Sequence, residues 1–501
     1  MIRRLLLAAC LLAAFPGSGW TQTLRIALRE DADLLDPTLA RTYVGRIVFA
    51  GLCDKLFDLN EKLEIVPQLA TGYEWADPVT LIIHLRSGVT FQDGETLDAA
   101  AVKYSLERHL TMTGSFRRSE ISSIDHVDVV DPATVKIVLK SPSAPFLSQL
   151  TDRAGMILPP KATEAAGKDF ARAPVCSGPF KFVERVAQDR IVLDRFPGYW
   201  DAKDIHFDRV IYQPMPDSSV QVANLRSGTI DLAERVLPTD VAQIKADPKL
   251  RIVTSPALGY EAITFNVANG DKARSPLGQN KLLRQAFEAA IDRKALVDVV
   301  FNGMYTPNAQ AVSPASPFYI ASVPPPPRDL AKAKALIEQA GVPTPIVVQM
   351  NVPNTPDRAQ EAEVIQSMTR EAGFDVKINL IEFAASLQAA TRGAFEAYLI
   401  GWSGRADPDG NMYQFLVTGA GQNDGHYSNP VVDTELRAAR ESVDLAARRG
   451  HYETALHQLR DDLPLIYLQS PVNIVGMSAK LTGFRPVPDG MIRLQGLEMA
   501  K

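Results

Sequence analysis

Short segments with an apolar residue at every second position dominate the first half of the chain. This period of two puts alternate side chains on opposite faces of an extended strand. It predicts two strands, at residues 23–29 and 80–86, and two hairpins, at residues 127–130 with 135–139 and 180–186 with 190–194. Between the strands of the first hairpin, Asp131-Pro132-Ala133-Thr134 has proline at the second turn position, which common turns favour.

Helical periodicity is strongest in the second half. In the first half it predicts a helix over residues 98–110, capped by Thr96. In the second half it predicts helices at residues 281–291, 295–301, 329–340, 357–372, 434–445 and 449–461, with strands at 346–350, 376–381 and 397–400. Hairpins with few helices favour a mixed α+β unit, whereas the later alternation favours an α/β unit with a mostly parallel sheet.

Changes in this pattern indicate where the chain passes between the two units. Hairpins give way to helices near residues 263–266, and from residue 466 onward strand and turn residues return. The last segment is therefore predicted to cross back to the first unit. Four prolines at 324–327 lead directly into a predicted helix, so we interpret them as a rigid surface loop within the second unit.

The longest uncharged apolar run lies at the N-terminus. Two arginines precede the eleven apolar residues 5–15, and the small, turn-forming residues 16–19 follow. This order predicts a secretory signal peptide, residues 1–22, and not a transmembrane anchor, which needs about 20 apolar residues. Cys10 lies in a sequence similar to a lipoprotein box, but only five apolar residues of this run precede it, which argues against a lipid anchor.

Length and charge narrow the class of protein. A chain of 501 residues with 46% hydrophobic and 22% charged residues is typical of soluble globular proteins, and it is long enough for about three domains or two large lobes. Without the signal peptide, 51 basic side chains remain against 58 acidic ones. Nucleic acid is not an expected partner, because its binding depends on clustered Lys and Arg.

Cys53 and Cys176 are the two cysteines of the predicted mature chain. In an oxidising compartment such a pair can form a disulfide. Two buried thiols that pack as small hydrophobic groups are the alternative. The sequence leaves both open.

The motifs of common enzymes and metal sites are missing from the sequence. The seven histidines are scattered without HExxH, and CxxC, GxSxG, a P-loop and GxGxxG are all absent. Residues 405–410 place acidic residues before a glycine as a calcium loop does, but Arg405 and Leu416 stand where its first and last ligands belong. No cofactor or metal is therefore predicted. A binding protein is favoured over an enzyme, with a secreted hydrolase as the remote alternative.

A series of short motifs, in order along the mature chain, resembles extracytoplasmic solute-binding proteins of the peptide/nickel/opine class (family 5), the receptors of ABC importers. The motifs are Thr23-Leu24-Arg25-Ile26-Ala27, Leu35-Asp36-Pro37, Val66-Pro67-Gln68-Leu69-Ala70, residues 85–94, Ser177-Gly178-Pro179-Phe180, Gly198-Tyr199-Trp200, residues 225–231, residues 284–293 and Tyr427-Ser428-Asn429-Pro430. The resemblance covers essentially the whole mature chain.

The resemblance implies an α/β, two-lobed fold like that of periplasmic binding proteins, of type II in its large three-subdomain variant, with a ligand cleft between the lobes. Lobe I is expected at residues 23–265 plus 469–501, with an inserted subdomain at about 60–175, and lobe II at residues 266–468. The implied function is a monomeric periplasmic receptor. It would bind a peptide or peptide-like solute, close about a hinge, and deliver the solute to ABC permease subunits in the inner membrane.

The resemblance also carries the prediction of ligand-binding residues. Peptide receptors of the family commonly have Gly-Trp-x-x-Asp after a strand, where the Asp pairs with the peptide amine, but here residues 401–405 end in Arg405. A guanidinium at this place would suit a carboxylate, and an Asp shortly after it would contact the amine. Besides Arg405, the predicted ligand-binding residues are Trp402, Asp407, Asp409, Tyr43 and Asn266.

Alternatives remain for these residues and for the solute. Arg405 is either a ligand residue or the partner of Asp407 or Asp409 in a structural salt bridge, and Trp402 packs either on the ligand or in the core. An anionic solute such as glutathione or an opine is the alternative to a plain peptide. Nickel is a further family ligand, but no histidine cluster supports its direct ligation.

Overall fold

The computed structural model of the protein describes residues 22–500, so residues 1–21 of the predicted signal peptide, with Cys10, lie outside the described chain. The strands within residues 22–500 are β1 (Thr23–Leu28), β2 (Phe57–Leu59), β3 (Ile65–Pro67), β4 (Ala70–Asp77), β5 (Thr80–Leu85), β6 (Ile124–Asp131), β7 (Thr134–Leu139), β8 (Phe180–Val186), β9 (Arg190–Arg195), β10 (Arg209–Pro214), β11 (Leu232–Ala233), β12 (Leu250–Pro256), β13 (Tyr260–Phe265), β14 (Thr306–Pro307), β15 (Ile346–Pro353), β16 (Phe374–Ile381), β17 (Ala397–Trp402), β18 (Leu465–Ser470), β19 (Val472–Ser478), β20 (Leu481–Thr482) and β21 (Glu498–Met499).

The α-helices of the same residues are α1 (Tyr43–Leu52), α2 (Ala99–Thr111), α3 (Phe146–Gln149), α4 (Pro160–Ala166), α5 (Ser218–Ser227), α6 (Val241–Lys245), α7 (Pro276–Gln279), α8 (Lys281–Ala289), α9 (Arg293–Phe301), α10 (Leu330–Ala340), α11 (Pro356–Arg370), α12 (Phe383–Thr391), α13 (Asp409–Leu416), α14 (Pro430–Glu441) and α15 (Leu445–Asp462). None of the helices in residues 22–500 combines the length and hydropathy that a membrane span requires.

A seven-stranded sheet with the order β12-β19-β11-β1-β10-β9-β8 forms the centre of the first lobe. Its middle strand, β1, runs parallel to both β10 and β11. Leu24, Ile26 and Leu28 of β1 are fully buried and pack in one cluster with Ile47 and Val48 of α1. The predicted first strand and the hairpin of β8 and β9 are confirmed.

A smaller antiparallel sheet, β4-β5-β7-β6, lies within the predicted inserted segment. Every second residue of β7 is buried, as the period of two requires, and α2 packs against the sheet. The predicted cap of α2 is wrong. Asp98 caps this helix, because its carboxylate accepts hydrogen bonds from the backbone N–H groups of Ala100 at 2.9 Å and Ala101 at 3.0 Å.

The second lobe is built on a six-stranded sheet with the order β14-β18-β13-β17-β15-β16. The prediction that this sheet is mostly parallel is wrong. Only β15 with β16 and β15 with β17 pair in parallel, while the other three pairings are antiparallel. The reason is that β13, which enters the lobe, and β18, which leaves it, lie side by side in the middle of the sheet and run in opposite directions.

The sheets also show where the chain crosses between the lobes. β12 and β19 pair in the seven-stranded sheet, and β13 and β18 pair in the six-stranded sheet. The crossings are therefore residues 257–259 and Pro471, and the Ala257 N–H donates a 3.2 Å hydrogen bond to the Pro471 carbonyl. From here on, lobe I denotes residues 22–256 and 472–500, and lobe II denotes residues 260–470. The first crossing lies before the expected boundary between residues 265 and 266, because β13 pairs with strands of lobe II.

A disulfide closes a long loop of lobe I. Cys53 Sγ, at the end of α1, is bonded to Cys176 Sγ, just before β8, with a Cα–Cα distance of 4.9 Å and a sequence separation of 123 residues. The small antiparallel sheet lies inside this loop, so the bond ties both ends of the inserted segment to the main sheet.

Candidate ligand-binding site between the lobes

A cavity of about 1350 Å³, measured out to its open mouth, lies between the lobes. Lobe I contributes the residues that follow β1, the start of α1 and the residues that follow β11. Lobe II contributes β13, β17, the start of α11, α12 and the loop at residues 422–427. The cavity therefore lies where both central sheets end, which is a common place for small-molecule sites.

The lobe II side of the cavity is largely aromatic. Its aromatic residues are Tyr260, Phe265, Phe383, Tyr398, Trp402, Phe415 and Tyr427. Trp402 is held by a 3.0 Å hydrogen bond from its indole N–H to Asn411 Oδ1 and by edge-to-face contact with Phe415, 4.8 Å between ring centroids. Rings fixed in this way provide a rigid apolar wall for the uncharged part of a solute.

Ion pairs connect the two lobes beside this wall. Arg29 Nη2, which follows β1, donates to both carboxylate oxygens of Asp357 at 2.8 and 2.7 Å and to Thr355 Oγ1 at 2.8 Å. In the opposite direction, Arg358 of lobe II donates to Glu30 of lobe I at 3.0 Å. These buried pairs hold the lobes against each other, so the structure represents a closed state.

Two further carboxylates of the cavity lining are only partly satisfied. Glu234, next to β11, lies 3.6 Å from Arg235, and Glu261 of β13 lies 3.6 Å from Arg358. Within residues 22–500, Glu234 Oε1 and Glu261 Oε2 accept no hydrogen bond, although both side chains are buried. Burial raises the pKa of Glu234, while the adjacent Arg235 opposes this rise.

Glu361 of α11 lies behind Glu261 and adds a fifth acidic group. Burial, followed by repulsion from Glu261, raises the pKa of Glu361 to about 8, and Gln469 donates a 2.8 Å hydrogen bond to its carboxyl group. At neutral pH Glu361 is therefore mostly protonated. The four remaining carboxylates of this group belong to Glu30, Glu234, Glu261 and Asp357, and the guanidinium groups among them belong to Arg29, Arg235 and Arg358. These seven groups in and beside the lining thus carry one more negative charge than positive, the extra one being Asp357 behind the lining.

A third ion pair crosses the cleft. Arg41 of lobe I lies 2.9 Å from Asp424 of lobe II and also donates to Thr391 Oγ1 at 2.7 Å. Burial lowers the pKa of Arg41, but attraction to Asp424 outweighs burial and the net change is upward. Opposite charges of the two lobes therefore meet here and favour closure.

Comparison with known proteins assigns the chain to a family. The model of the bacterial extracellular solute-binding proteins, family 5, matches residues 64–424, which is more than half of the chain. The chain belongs to this family. The glutathione-binding protein GsiB of Pectobacterium atrosepticum is 30% identical over all of this chain and 99% of that protein.

Solved structures of other proteins show the same architecture. The periplasmic binding protein DppA of Helicobacter pylori, in complex with the peptide STSA, has a TM-score of 0.87 at 26% identity, covering 96% of this chain and 98% of that one. AgaA of A. tumefaciens R10, in complex with agropinic acid, has a TM-score of 0.86 at 26% identity, covering 96% and 99%. The predicted two-lobed α/β fold is confirmed.

Two of the predicted ligand-binding residues line the cavity of this family 5 protein. Trp402 forms part of the aromatic wall, and Tyr43 begins α1 on the lobe I side. The Tyr43 hydroxyl donates a 2.7 Å hydrogen bond to the Gly490 carbonyl, and burial raises the pKa of Tyr43.

Arg405 lies close to the cavity but faces another part of lobe I. Its Nε is 2.5 Å from Asp152 Oδ2, and its guanidinium lies over the Trp402 ring at 4.4 Å. The cavity lining of the described chain does not include Arg405. Burial and the nearby Arg46 lower the pKa of Arg405 to about 10. Its contact with a ligand stays a prediction, and the salt bridge it makes is with a residue other than the expected Asp407 or Asp409.

The other three predicted residues have structural partners. Asp407 accepts hydrogen bonds from Arg448 at 2.7 and 2.9 Å, and Asp409 accepts them from Arg440 at 2.7 and 2.8 Å. Asn266 Nδ2 donates to the carbonyls of Asn269, Gly393 and Phe395 at 2.8 to 3.1 Å. Their roles in ligand binding stay predictions, since every contact named here is with the protein itself.

The buried glutamates of the cavity are not among the residues predicted from the sequence. Glu261 stands inside the apolar strand β13, and Glu234 directly follows the buried strand β11. A carboxylate within or directly after a buried strand is a detectable signal, since burial of a charge is costly without a partner. Across residues 22–500, no group of three or more His, Cys, Asp or Glu side chains is arranged to hold a metal ion.

Proposed function

We propose that this family 5 protein is the periplasmic receptor of an ABC importer and that it binds a peptide or peptide-like solute carrying a free ammonium group. The observation that carries the proposal is the pair of buried carboxylate oxygens, Glu234 Oε1 and Glu261 Oε2, that line the interlobe cavity without a hydrogen-bond donor among residues 22–500. An ammonium group donates three charge-assisted hydrogen bonds, which these two carboxylate oxygens can accept.

The rest of the cavity suits the remainder of such a solute. The aromatic side chains of lobe II, with Trp402 among them, form an apolar surface against which a peptide backbone can pack. The names of similar proteins support a peptide-like solute, since they mention glutathione, the peptide STSA and agropinic acid. Tyr43 and Trp402 are the sequence-predicted residues that we expect to contact the solute.

Transport would follow from closure of the lobes. A solute that contacts lobe I at Glu234 and lobe II at Glu261 binds the closed state more tightly than the open one, and so shifts the population toward closure. Permease subunits would then recognise the closed receptor. We propose that the receptor acts as a monomer, carries out no chemical step on its solute, and binds no nucleic acid.

The proposal is tested by calorimetric titration of the mature protein with reduced glutathione and with di- and tripeptides, each as the free amine and as its N-acetyl derivative. We expect binding of at least one free amine, and N-acetylation of that ligand should weaken it by tenfold or more, because hydrogen bonds to charged groups contribute about 1.5–3 kcal/mol. Release of a cleaved product would contradict the proposal and favour a hydrolase.

Two substitutions locate the ammonium group. Glu234→Gln and Glu261→Gln should each weaken binding of the free amine by about tenfold. Glu288→Gln is the matched control, because Glu288 is a buried glutamate of lobe II that is paired with Arg293 outside the interlobe cavity. Equal affinity for the free and acetylated forms, or unchanged affinity in both cavity variants, would refute the ammonium site even if a peptide binds.

A further inference from the structure

A second group of buried charges lies at the lobe interface, outside the cavity lining. It contains four arginines and two acidic residues, all at most 9% exposed: Arg46, Arg117, Arg153, Arg405, Asp152 and Glu120. We call these six residues the arginine cluster. Arg46 Nη1 donates a 3.2 Å hydrogen bond to Ser403 Oγ, and Ser403 lines the interlobe cavity, so the two features are neighbours.

Asp152 is the centre of the arginine cluster. Arg405 Nε lies 2.5 Å from Asp152 Oδ2, and Arg46 Nε lies 3.0 Å from the same oxygen. Burial opposes ionisation of Asp152, but attraction to Arg405 and Arg46 outweighs it and holds the pKa of Asp152 well below its ordinary value. This carboxylate is therefore ionised and already shared by two guanidinium groups.

The other two arginines are fully buried beside it. Arg117 donates to Glu120 Oε1 at 2.6 Å, and both Arg117 and Arg153 donate to the Ala40 carbonyl, at 3.3 and 2.8 Å. Arg153 directly follows Asp152, with its Nε 3.7 Å from Asp152 Oδ1. Burial, followed by repulsion from Arg117, lowers the pKa of Arg153 well below its ordinary value.

Charge and hydrogen bonding in the arginine cluster are both unbalanced. Four guanidinium groups share two carboxylates, which leaves two positive charges in excess. Arg117 Nε, Arg153 Nε, Arg153 Nη2 and Arg405 Nη2 are buried without an acceptor among residues 22–500. Asp152 Oδ2 also accepts no hydrogen bond there, since its contacts with Arg405 and Arg46 are ion pairs. Guanidinium groups keep their proton in proteins, and buried charge without a partner is strongly unfavourable. An anion would correct both deficits together.

The geometry points to a binding site for a small monovalent anion, a halide such as chloride, at the arginine cluster of the closed protein. A monatomic anion accepts hydrogen bonds from several directions, and the N–H groups without an acceptor belong to three different arginines. The carboxylate of a bound solute offers the same chemistry from the cavity side. We favour the free halide because the cavity lining includes Ser403 but none of the four arginines.

Both lobes supply residues to the arginine cluster, so anion binding is coupled to closure of the lobes. Arg46, Arg117, Glu120, Asp152 and Arg153 belong to lobe I, whereas Arg405 belongs to lobe II. Opening would withdraw Arg405 and with it one of the two excess positive charges. The anion should therefore bind the closed state more tightly than the open one, and by linkage it should strengthen solute binding.

The test compares the melting temperature of the mature protein in sodium chloride and in sodium gluconate, at a constant ionic strength of about 0.15 M. Binding to the folded state raises the melting temperature, and we expect a rise of about 2 °C or more in chloride. Arg405→Gln should lose most of this rise. Arg448→Gln, a buried arginine of lobe II that pairs with Asp407 outside the cluster, should retain it.

Crystals grown in sodium bromide give a second measurement that does not depend on the variants. An anomalous peak within hydrogen-bond distance of Arg117, Arg153 and Arg405 is expected. Equal melting temperatures in the two salts, or a solute carboxylate or a water molecule at that place in the bromide crystals, would overturn the halide site. The melting temperatures in the two salts and the bromide peak do not depend on whether a peptide binds at Glu234 and Glu261.

Discussion

Glu361 shows how a single residue of the cavity wall sets the response of the protein to pH. It is 1% exposed, and its pKa of about 8 lies above its value in an unfolded chain. Between pH 5 and pH 8 the unfolded carboxyl group is ionised while the folded one keeps its proton. The contribution of Glu361 to stability is thus fully present below its unfolded pKa and is lost as the pH rises through the folded pKa.

We therefore expect the free energy of unfolding to fall from pH 5 to pH 8, and Glu361→Gln to remove part of that fall. Gln keeps the acceptor that Gln469 uses but has no proton to lose. Asp54, whose pKa burial raises to about 7, contributes in the same direction, so Asp54→Asn is a parallel test in lobe I. Urea unfolding across this pH range measures the effect, and an identical slope in wild type and both variants would contradict it.

At the residue scale, contacts between residues close in sequence can be predicted, whereas contacts between distant residues cannot. Tyr43 and Trp402 line the cavity, and their contact with a ligand stays a prediction. Arg405 was expected to face the ligand or a nearby Asp, but its partner, Asp152, is distant in sequence and lies on the other lobe. Spacing along the chain does not reveal such a partner.

At the scale of elements, hydrophobic periodicity located strands and helices well but not their neighbours in the sheets. β1, β5, both predicted hairpins and helices such as α8 and α10 fall where the pattern placed them. The antiparallel pairing of β13 with β18 is not predicted, because an apolar strand has the same sequence pattern in a parallel and in an antiparallel sheet. The cap of α2 was misplaced by two residues, since Thr96 and Asp98 are both good capping residues.

Gly259, at the first crossing, provides a test of the hinge. A Cβ atom there would lie 1.7 Å from the carbonyl oxygen of Trp402, so Gly259→Ala must displace the backbone that carries the aromatic wall. We expect it to lower the free energy of unfolding by about 1–3 kcal/mol and to weaken solute binding. Gly72→Ala in β4 is the matched control, since no atom lies within 4 Å of its added Cβ. Chemical unfolding measures the stability of both variants. Equal destabilisation of the two would show that the close approach of Gly259 to the Trp402 carbonyl does not constrain the backbone.

The disulfide gives a second prediction at this scale. Thiol labelling of the unfolded, unreduced mature protein should find no free thiol, because Cys53 and Cys176 are bonded. Reduction should lower the free energy of unfolding by about 4 to 5 kcal/mol, as expected for closing a loop of more than 100 residues. Two labelled thiols per chain would show that the pair is reduced in the mature protein.

For the whole molecule, the main question is what holds the lobes together. Arg29→Gln removes the pair with Asp357 across the cleft and should shift the population toward the open state. Arg25→Gln is the control, because Arg25 lies on the same stretch of chain but pairs with Asp231 within lobe I. Small-angle X-ray scattering should show a larger radius of gyration for Arg29→Gln alone. Identical scattering from the two variants would rule out this pair as a determinant of closure.

The paired crossings have a practical consequence for how the molecule can be rearranged. Lobe II begins and ends on adjacent strands, β13 and β18, so its two ends leave the sheet side by side. A chain consisting of residues 260–470 alone would have neighbouring termini, the arrangement that favours domain insertion and circular permutation. Lobe II is therefore a natural unit for exchange between relatives, which would graft one protein's aromatic wall onto another's lobe I.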